Sequence, residues 1–197
     1  MPHQRQAAMT TDSKRLQDLC AIEDAIWAEL TLAPHHRSHE WRIGVLATVD
    51  GDAADARSVV LRDFETQTHT LLIYADSRSP KAAQIETHPL GTLVLWSEAL
   101  GWQLRLRVAL ALETAGLRVS SRWARLKMTP GAHDYLSPMP PGSPLDHPAR
   151  PPCPQRDSRE HFALLSAQIL AVDWLELHAD GHRRARFDAE GRRWLTP

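Results

Sequence analysis

The chain has 197 residues, with 23 basic and 24 acidic side chains that nearly cancel to a formal net charge of -1, and 43% of its residues are hydrophobic. No global field draws such a chain onto nucleic acid or an anionic membrane, and no apolar run is long enough to span a bilayer. Cys20 and Cys153 are the two cysteines, which gives neither a disulfide framework nor a paired metal motif, so the cytoplasm is the expected compartment.

The length fits one domain, expected over residues 12–197, after a disordered tail at 1–11 built from polar and small side chains. From Asp12 to Leu30, Leu16, Leu19, Cys20, Ile26 and Leu30 recur at helical spacing behind the cap-like cluster Thr11, Asp12 and Ser13. Pro34 ends that helix. Trp41–Val49 alternates as a strand and closes at Asp50 and Gly51; Arg57–Phe64 and Thr70–Ala75 follow as a hairpin pair. Ser79 before Pro80 is a helix start, because serine caps a free amide and proline at the first position loses no hydrogen bond. That helix is expected to end near His88 and Pro89. Thr92–Trp96 and Trp102–Thr114 read as strands joined through Gly101, and Arg118–Met128 as a surface helix. Thr129–Arg156 is rich in proline and has little periodicity, so a long loop that wraps a partner or covers a pocket is expected. Strands return at Phe162–Ser166, Ile169–Leu177, Arg183–Asp188 and around Trp194. Many short antiparallel strands with few helices point to a closed or split β-barrel, since closure removes exposed sheet edges.

Two segments carry the chemistry. The run Arg57-Ser58-Val59-Val60-Leu61-Arg62 places an arginine at each end of a strand otherwise built for burial. At that separation the two face opposite sides of a regular strand, and only a bulge or a ligand at the sheet edge lets both serve one site. Next, Tyr74-Ala75-Asp76-Ser77-Arg78-Ser79-Pro80-Lys81 sets a hydroxyl, two cations and a helix start behind a strand. Free amides and the helix dipole favour an anion there, and Arg78 and Lys81 add charge-assisted hydrogen bonds. The plainer readings are snorkelling or salt-bridged arginines, a serine that only caps, and a solvated lysine.

Taken in order, Arg57–Arg62, Asp76–Lys81 and Gln103-Leu104-Arg105 resemble the three motifs of the FMN-binding half of the pyridoxamine 5'-phosphate oxidase-like family. The Arg186-Phe187 pair, with Trp194 before Pro197, is similar to that family's C-terminal end. The resemblance implies a mainly β (α+β) fold, an antiparallel Greek-key split barrel with peripheral helices, working as a homodimer with FMN at the subunit seam. It places Arg57, Ser58, Val59, Val60, Leu61 and Arg62 along the flavin, Tyr74 and Ala75 near it, and Ser79 and Lys81 at its phosphate with Arg78 as a further contact. Gln103 is implied from the other subunit or its edge, and Arg186 from the C-terminal segment. Arg62 and Arg186 are the implied positive charges near the flavin's pyrimidine edge. Where family oxidases carry Arg-Leu-His-Asp-Arg to hold pyridoxal substrate, this chain reads His182-Arg183-Arg184-Ala185-Arg186, and their Tyr-Phe-x-Ser-Arg-Pro-x-x-Ser segment has no match between Arg118 and Leu136. Val108 stands where the family's strand soon meets glycine, and is expected to fill space beside the cofactor.

Other signals rank lower. His35, His36 and His39 lack matching carboxylates or cysteines, so a solvated loop and no metal are expected. The basic group at His182, Arg183, Arg184, Arg186, Arg192 and Arg193 is divided between two strand faces, and no nucleic-acid partner is expected. The seven tryptophans are read as core and interface residues. The leading expectation is an FMN-dependent oxidoreductase acting on a small molecule; the alternative is a non-catalytic split-barrel module that binds FMN or another flat cofactor such as haem.

Overall fold

The computed structural model describes residues 15–145, 147 and 158–197. The expected tail, the Thr11–Ser13 cluster, Cys153 and the end of the proline-rich stretch lie outside the described residues. Helix α1 (Leu19–Leu32) begins later than the Asp12 start read from the sequence, because the Asp18 carboxylate caps it, accepting from the Ala21 amide at 3.1 Å. Ile22, Ile26 and Leu30, one helical turn apart, are fully buried against the barrel, each contributing about 1.5–3 kcal/mol relative to exposure. The histidine loop behind it is structural: His39 Nε2 lies 2.8 Å from Glu29 Oε2, and its Nδ1 accepts from the Trp41 amide at 3.1 Å.

The strands are β1 (Ile43–Asp50), β2 (Ala53–Glu65), β3 (Thr70–Asp76), β4 (Leu90–Ser97), β5 (Trp102–Glu113), β6 (Phe162–Glu176), β7 (Arg183–Asp188) and β8 (Gly191–Leu195). They form one 8-stranded sheet in the order β3-β2-β1-β4-β5-β6-β7-β8, and β3 also pairs with β6. All pairings are antiparallel, so β1 to β6 close into a barrel and β7 and β8 extend from it. Helix α2 (Pro80–Thr87) follows β3 and ends at His88 as expected, and α3 (Leu117–Leu126) follows β5.

The two strands expected at Phe162–Ser166 and Ile169–Leu177 are one strand. β6 exchanges its partner β3 for β7 midway, and the register against β5 slips there, with Val108 opposite Ile169 but Arg107 opposite Ala171. The bend leaves Leu170 unpaired and imitates a strand end in the sequence.

The barrel interior is filled by Leu46, Val59, Leu61, Leu71, Ile73, Leu93, Leu104, Leu106 and Val108. Val108 is thus a core residue, and does not fill space at a ligand face as expected. A second apolar cluster lies outside the sheet, where Val119, Trp123 and Leu126 of α3 and Tyr135 of the 3-10 turn Pro130–Tyr135 pack on Leu72, Phe162 and Leu164. Of the tryptophans, Trp41, Trp102, Trp123 and Trp174 are buried, while Trp96 and Trp194 are exposed. Among the described residues no helix is long and apolar enough to cross a membrane.

One irregularity sets up the site. β2 pairs with β1 from Ala53 to Val60, but with β3 only from Leu61 onward, and β3 pairs back only as far as Ile73. The N-terminal half of β2 and the Tyr74–Asp76 end of β3 therefore diverge, which leaves the split in the barrel beside the start of α2 and exposes unpaired main-chain groups on β2.

Candidate functional site

Arg57 sits at the mouth of the split, on the same face of β2 as Val59 and Leu61. Its guanidinium donates to the Leu46 carbonyl at 3.3 Å, to Thr48 Oγ1, and to Gln84 Oε1 at 2.9 Å, and is paired with Asp55. Gln84 Nε2 donates to Asp55 at 2.9 Å, and Thr48 donates to Gln84 at 2.6 Å, which closes the network. The hydrogen bond from Gln84, then the charge of Arg57, hold the Asp55 carboxyl below its ordinary pKa. Arg57 is thereby fixed in direction by groups from β1, β2 and α2.

Arg57, Ser79 and Lys81 share a pocket of about 240 Å³ with Asp55, Pro80 and the Pro141–Gly142 tip of the proline-rich segment. Burial, and next to it the Arg57 guanidinium, push the Lys81 ammonium below the usual lysine pKa. Lys81 forms no hydrogen bond or ion pair among the described residues, so a partly desolvated charge, repelled by Arg57 and attracted by Asp76 from beyond ion-pair distance, faces this space. Ser79 does not cap α2 with its side chain; its hydroxyl donates to the Asp76 carbonyl at 2.6 Å.

Arg62 is elsewhere. The register shift between Leu61 and Asp63 supplies the bulge that the sequence reading called for, but it lies at Arg62 itself. Arg62 stays on the outer face, its guanidinium carbon 5.3 Å from the Tyr74 ring centroid, while Arg57 stays on the inner face. The two arginines therefore do not meet in one pocket. Burial pushes the nearby Tyr135 hydroxyl above its ordinary pKa, and Arg62 opposes that shift. Arg62 Nε is buried without a hydrogen-bond partner, which leaves a cationic donor unsatisfied at this end of the split.

The remaining expected residues divide. Ser58 is exposed and Val60 half-buried, but Val59 and Leu61 face the core, so only their main-chain atoms can meet a ligand. Ala75 is buried and Tyr74 half-buried. Arg78 does not line the pocket: its Nε and Nη2 clamp the Asp76 carboxylate at 3.0 and 2.7 Å. Gln103 lies opposite Trp96 on β5, and Arg186 on β7 donates to Asp188 at 2.6 Å; neither reaches the pocket within one chain. Arg183, Arg184, Arg192 and Arg193 pair with Glu176, Asp173, Glu23 and Asp188, which neutralises much of the C-terminal basic group. The sequence reading missed Thr48, Gln84 and Tyr135, whose relation to the site depends on the closed barrel; Asp55, two residues before Arg57 on one strand face, carried a readable signal. Among the described residues, no three His, Cys, Asp or Glu side chains are grouped to hold a metal ion.

Arg57 and Lys81 make this pocket cationic, while Arg62 stands apart from it beside Tyr74 further along β2. Residues 23–113 match the family described as "Pyridoxamine 5'-phosphate oxidase, FMN-binding domain". A pyridoxamine 5'-phosphate oxidase-related, FMN binding protein from Nostoc punctiforme superposes with a TM-score of 0.70 at 23% identity, over 92% of this chain and 100% of its own. PhzG from Burkholderia lata, solved with tetrahydrophenazine-1-carboxylic acid, superposes with a TM-score of 0.66 at 15% identity over 93% and 95%. A heme binding protein from Mycobacterium smegmatis reaches 0.50 at 14% identity, over 83% of this chain and 58% of its own. No curated protein matches the sequence. At these identities the structural likenesses speak to the split-barrel fold, which agrees with the sheet described above.

Proposed function

We propose that this chain, a member of the pyridoxamine 5'-phosphate oxidase-like split-barrel family, binds FMN in the slot between β2 and β3 and works as an oxidoreductase on a small molecule. The observation that carries this reading is the shared pocket of Arg57, Ser79 and Lys81 at the start of α2, three residues that lie inside the matched segment. Among the described residues Lys81 forms no ion pair, and Arg62 Nε is buried without an acceptor. Both are conditions that an anionic ligand relieves.

In this reading Arg57, held by Asp55, Gln84 and Thr48, and Lys81 neutralise the phosphate, and the Ser79 hydroxyl turns from the Asp76 carbonyl toward it. Main-chain groups along Ser58–Leu61 face the edge of the ring system. Arg62 places positive charge near the pyrimidine end, where negative charge develops on reduction. Bound FMN supplies the two-electron redox chemistry; the protein orients it and limits water access. Gln103 and Arg186 complete the slot from a second copy of the chain across a homodimer seam. The cytoplasm is the proposed setting, with the exposed Cys20 as a free thiol.

The test is direct. The purified protein should be yellow or turn yellow with added FMN, release flavin on denaturation, and elute as a dimer. Arg186→Ala should slow flavin reduction while leaving part of the FMN affinity. Bound flavin without turnover on a panel of small amines and alcohols would make the chain a carrier, and failure to take up FMN at all would refute the proposal.

A further inference from the structure

Arg78 was expected to touch the phosphate, yet its side-chain hydrogen bonds among the described residues point elsewhere. Asp76, buried at the end of β3, holds Nε and Nη2. The outward donors reach the main chain of the proline-rich segment: Nη2 to the Ser137 carbonyl at 2.9 Å and Nη1 to the Pro138 carbonyl at 3.2 Å. On one side of this junction the segment is anchored, because Tyr135 and Leu136 are buried in the outer apolar cluster.

On the other side it is rigid. Ser137 Oγ donates to the Met139 carbonyl at 3.0 Å and accepts from the Met139 amide at 3.2 Å. Pro140, Pro141, Gly142 and Ser143 then form a tight turn, closed by the Ser143 amide on the Pro140 carbonyl at 3.2 Å. Proline at the second position and glycine with φ +87° at the third satisfy a type II turn, where a left-handed residue is required. The tip of this turn, Pro141 and Gly142, is the wall that faces Arg57, Ser79 and Lys81. The hydrogen-bonded tip stands on a two-residue base, and Arg78 holds that base.

We infer that Arg78 is a positioning residue, the tether that holds the Ser137–Ser143 strap over the anion pocket and so sets how fast ligand enters and leaves. The inference rests on the proposed FMN site for its kinetic consequence, but the tether itself rests on the hydrogen bonds of Arg78 alone. Its arginine chemistry matters: a planar fork can serve a carboxylate and two carbonyls together, and a lysine cannot.

The experiment compares the full-length wild type with Arg78→Ala and Arg78→Lys. FMN association and dissociation are followed by flavin fluorescence, and hydrogen exchange of the 137–143 amides is followed without FMN. Release of the strap should speed both association and dissociation, the latter on the order of tenfold, as the loss of charge-assisted hydrogen bonds implies. Strap exchange should rise in both variants, and Arg78→Lys should behave like Arg78→Ala. The inference is overturned if Arg78→Lys keeps wild-type rates while Arg78→Ala loses affinity through faster dissociation alone with strap exchange unchanged, since that is the pattern of a direct phosphate ligand. If the wild type takes up no FMN, the proposed function fails, and the exchange measurement still decides the tether.

Discussion

Burial and the Arg57 guanidinium both press Lys81 toward its neutral form, so its pKa lies below the ordinary lysine value. A phosphate dianion in the same pocket acts in the opposite sense and raises that pKa again. The complex then binds more protons than the free protein, and FMN affinity falls as pH rises from the free Lys81 pKa toward that of the complex. At the acid end, affinity rises as the phosphate ionises to its dianion near pH ~6. A titration of Kd against pH should therefore show a maximum, and Lys81→Met should remove the alkaline limb while leaving the acid one; an unchanged alkaline limb would place Lys81 outside the site. Arg57→Ala combines two effects. It leaves the buried Thr48 and Gln84 without their cationic partner, which costs about 1–3 kcal/mol in stability, and it should weaken FMN binding by at least roughly tenfold. Denaturant melts and flavin titration separate the two.

Elements follow from local pattern where one partner suffices. α2 was legible because Ser79-Pro80 is a start signal of its own, and β7 because Arg183–Asp188 alternates between paired strands. What escaped the sequence depended on partners distant in the chain. The continuity of β6 comes from β5, which pairs along its length while β3 gives way to β7. The placement of Arg62 comes from a bulge against β3, and the role of Arg78 from carbonyls about sixty positions further along. The pocket residues Arg57, Ser79 and Lys81 were nameable from motif order, but the network that aims Arg57 was not. Close element contacts supply two tests. A Cβ at Gly91 would lie 2.9 Å from the Ala47 carbonyl oxygen and 2.9 Å from Leu110 Cδ1. Because one of these is backbone, Gly91→Ala should force β1 and β4 apart and lower stability by about 1–3 kcal/mol, read as a lower melting temperature. At the opposite end, Glu176 accepts from Arg183 at 2.8 Å and Arg15 at 2.7 Å. Although burial alone raises its pKa, these hydrogen bonds hold the Glu176 carboxyl below its ordinary value. Its stabilising contribution is present above the unfolded glutamate pKa, about 4.3, and is lost as pH falls through the lower folded value. Glu176→Gln should be less stable near neutrality, with the difference from wild type shrinking over that acid window.

The whole molecule shows a face that one chain does not cover. Val45 lies opposite Val94 across β1 and β4, with Ile43 and Val49 on the same face of β1 and Leu90 and Trp96 on the same face of β4. Ile43, Val45, Leu90 and Trp96 are each more than a third exposed, so the outer face of β1 and β4 carries an apolar ladder of the kind that an interface covers. Gln103, opposite Trp96, adjoins this ladder, Arg186 lies on β7 beyond β6, and neither lines the pocket at β2. A two-fold seam on the ladder would let each copy lend these residues to the other. Val45→Glu should then give a monomer that binds FMN poorly, as judged by light scattering and flavin titration. Complementation is the stricter measurement. Arg57→Ala and Arg186→Ala chains, each deficient alone, should regain flavin reduction when unfolded together and refolded as a mixture. A heterodimer pairs the intact Arg57 of one chain with the intact Arg186 of the other, which restores one working site and leaves the second doubly defective. If both residues act on the flavin within a single chain, no mixture recovers activity, and the shared-site dimer is wrong even where FMN binding is right.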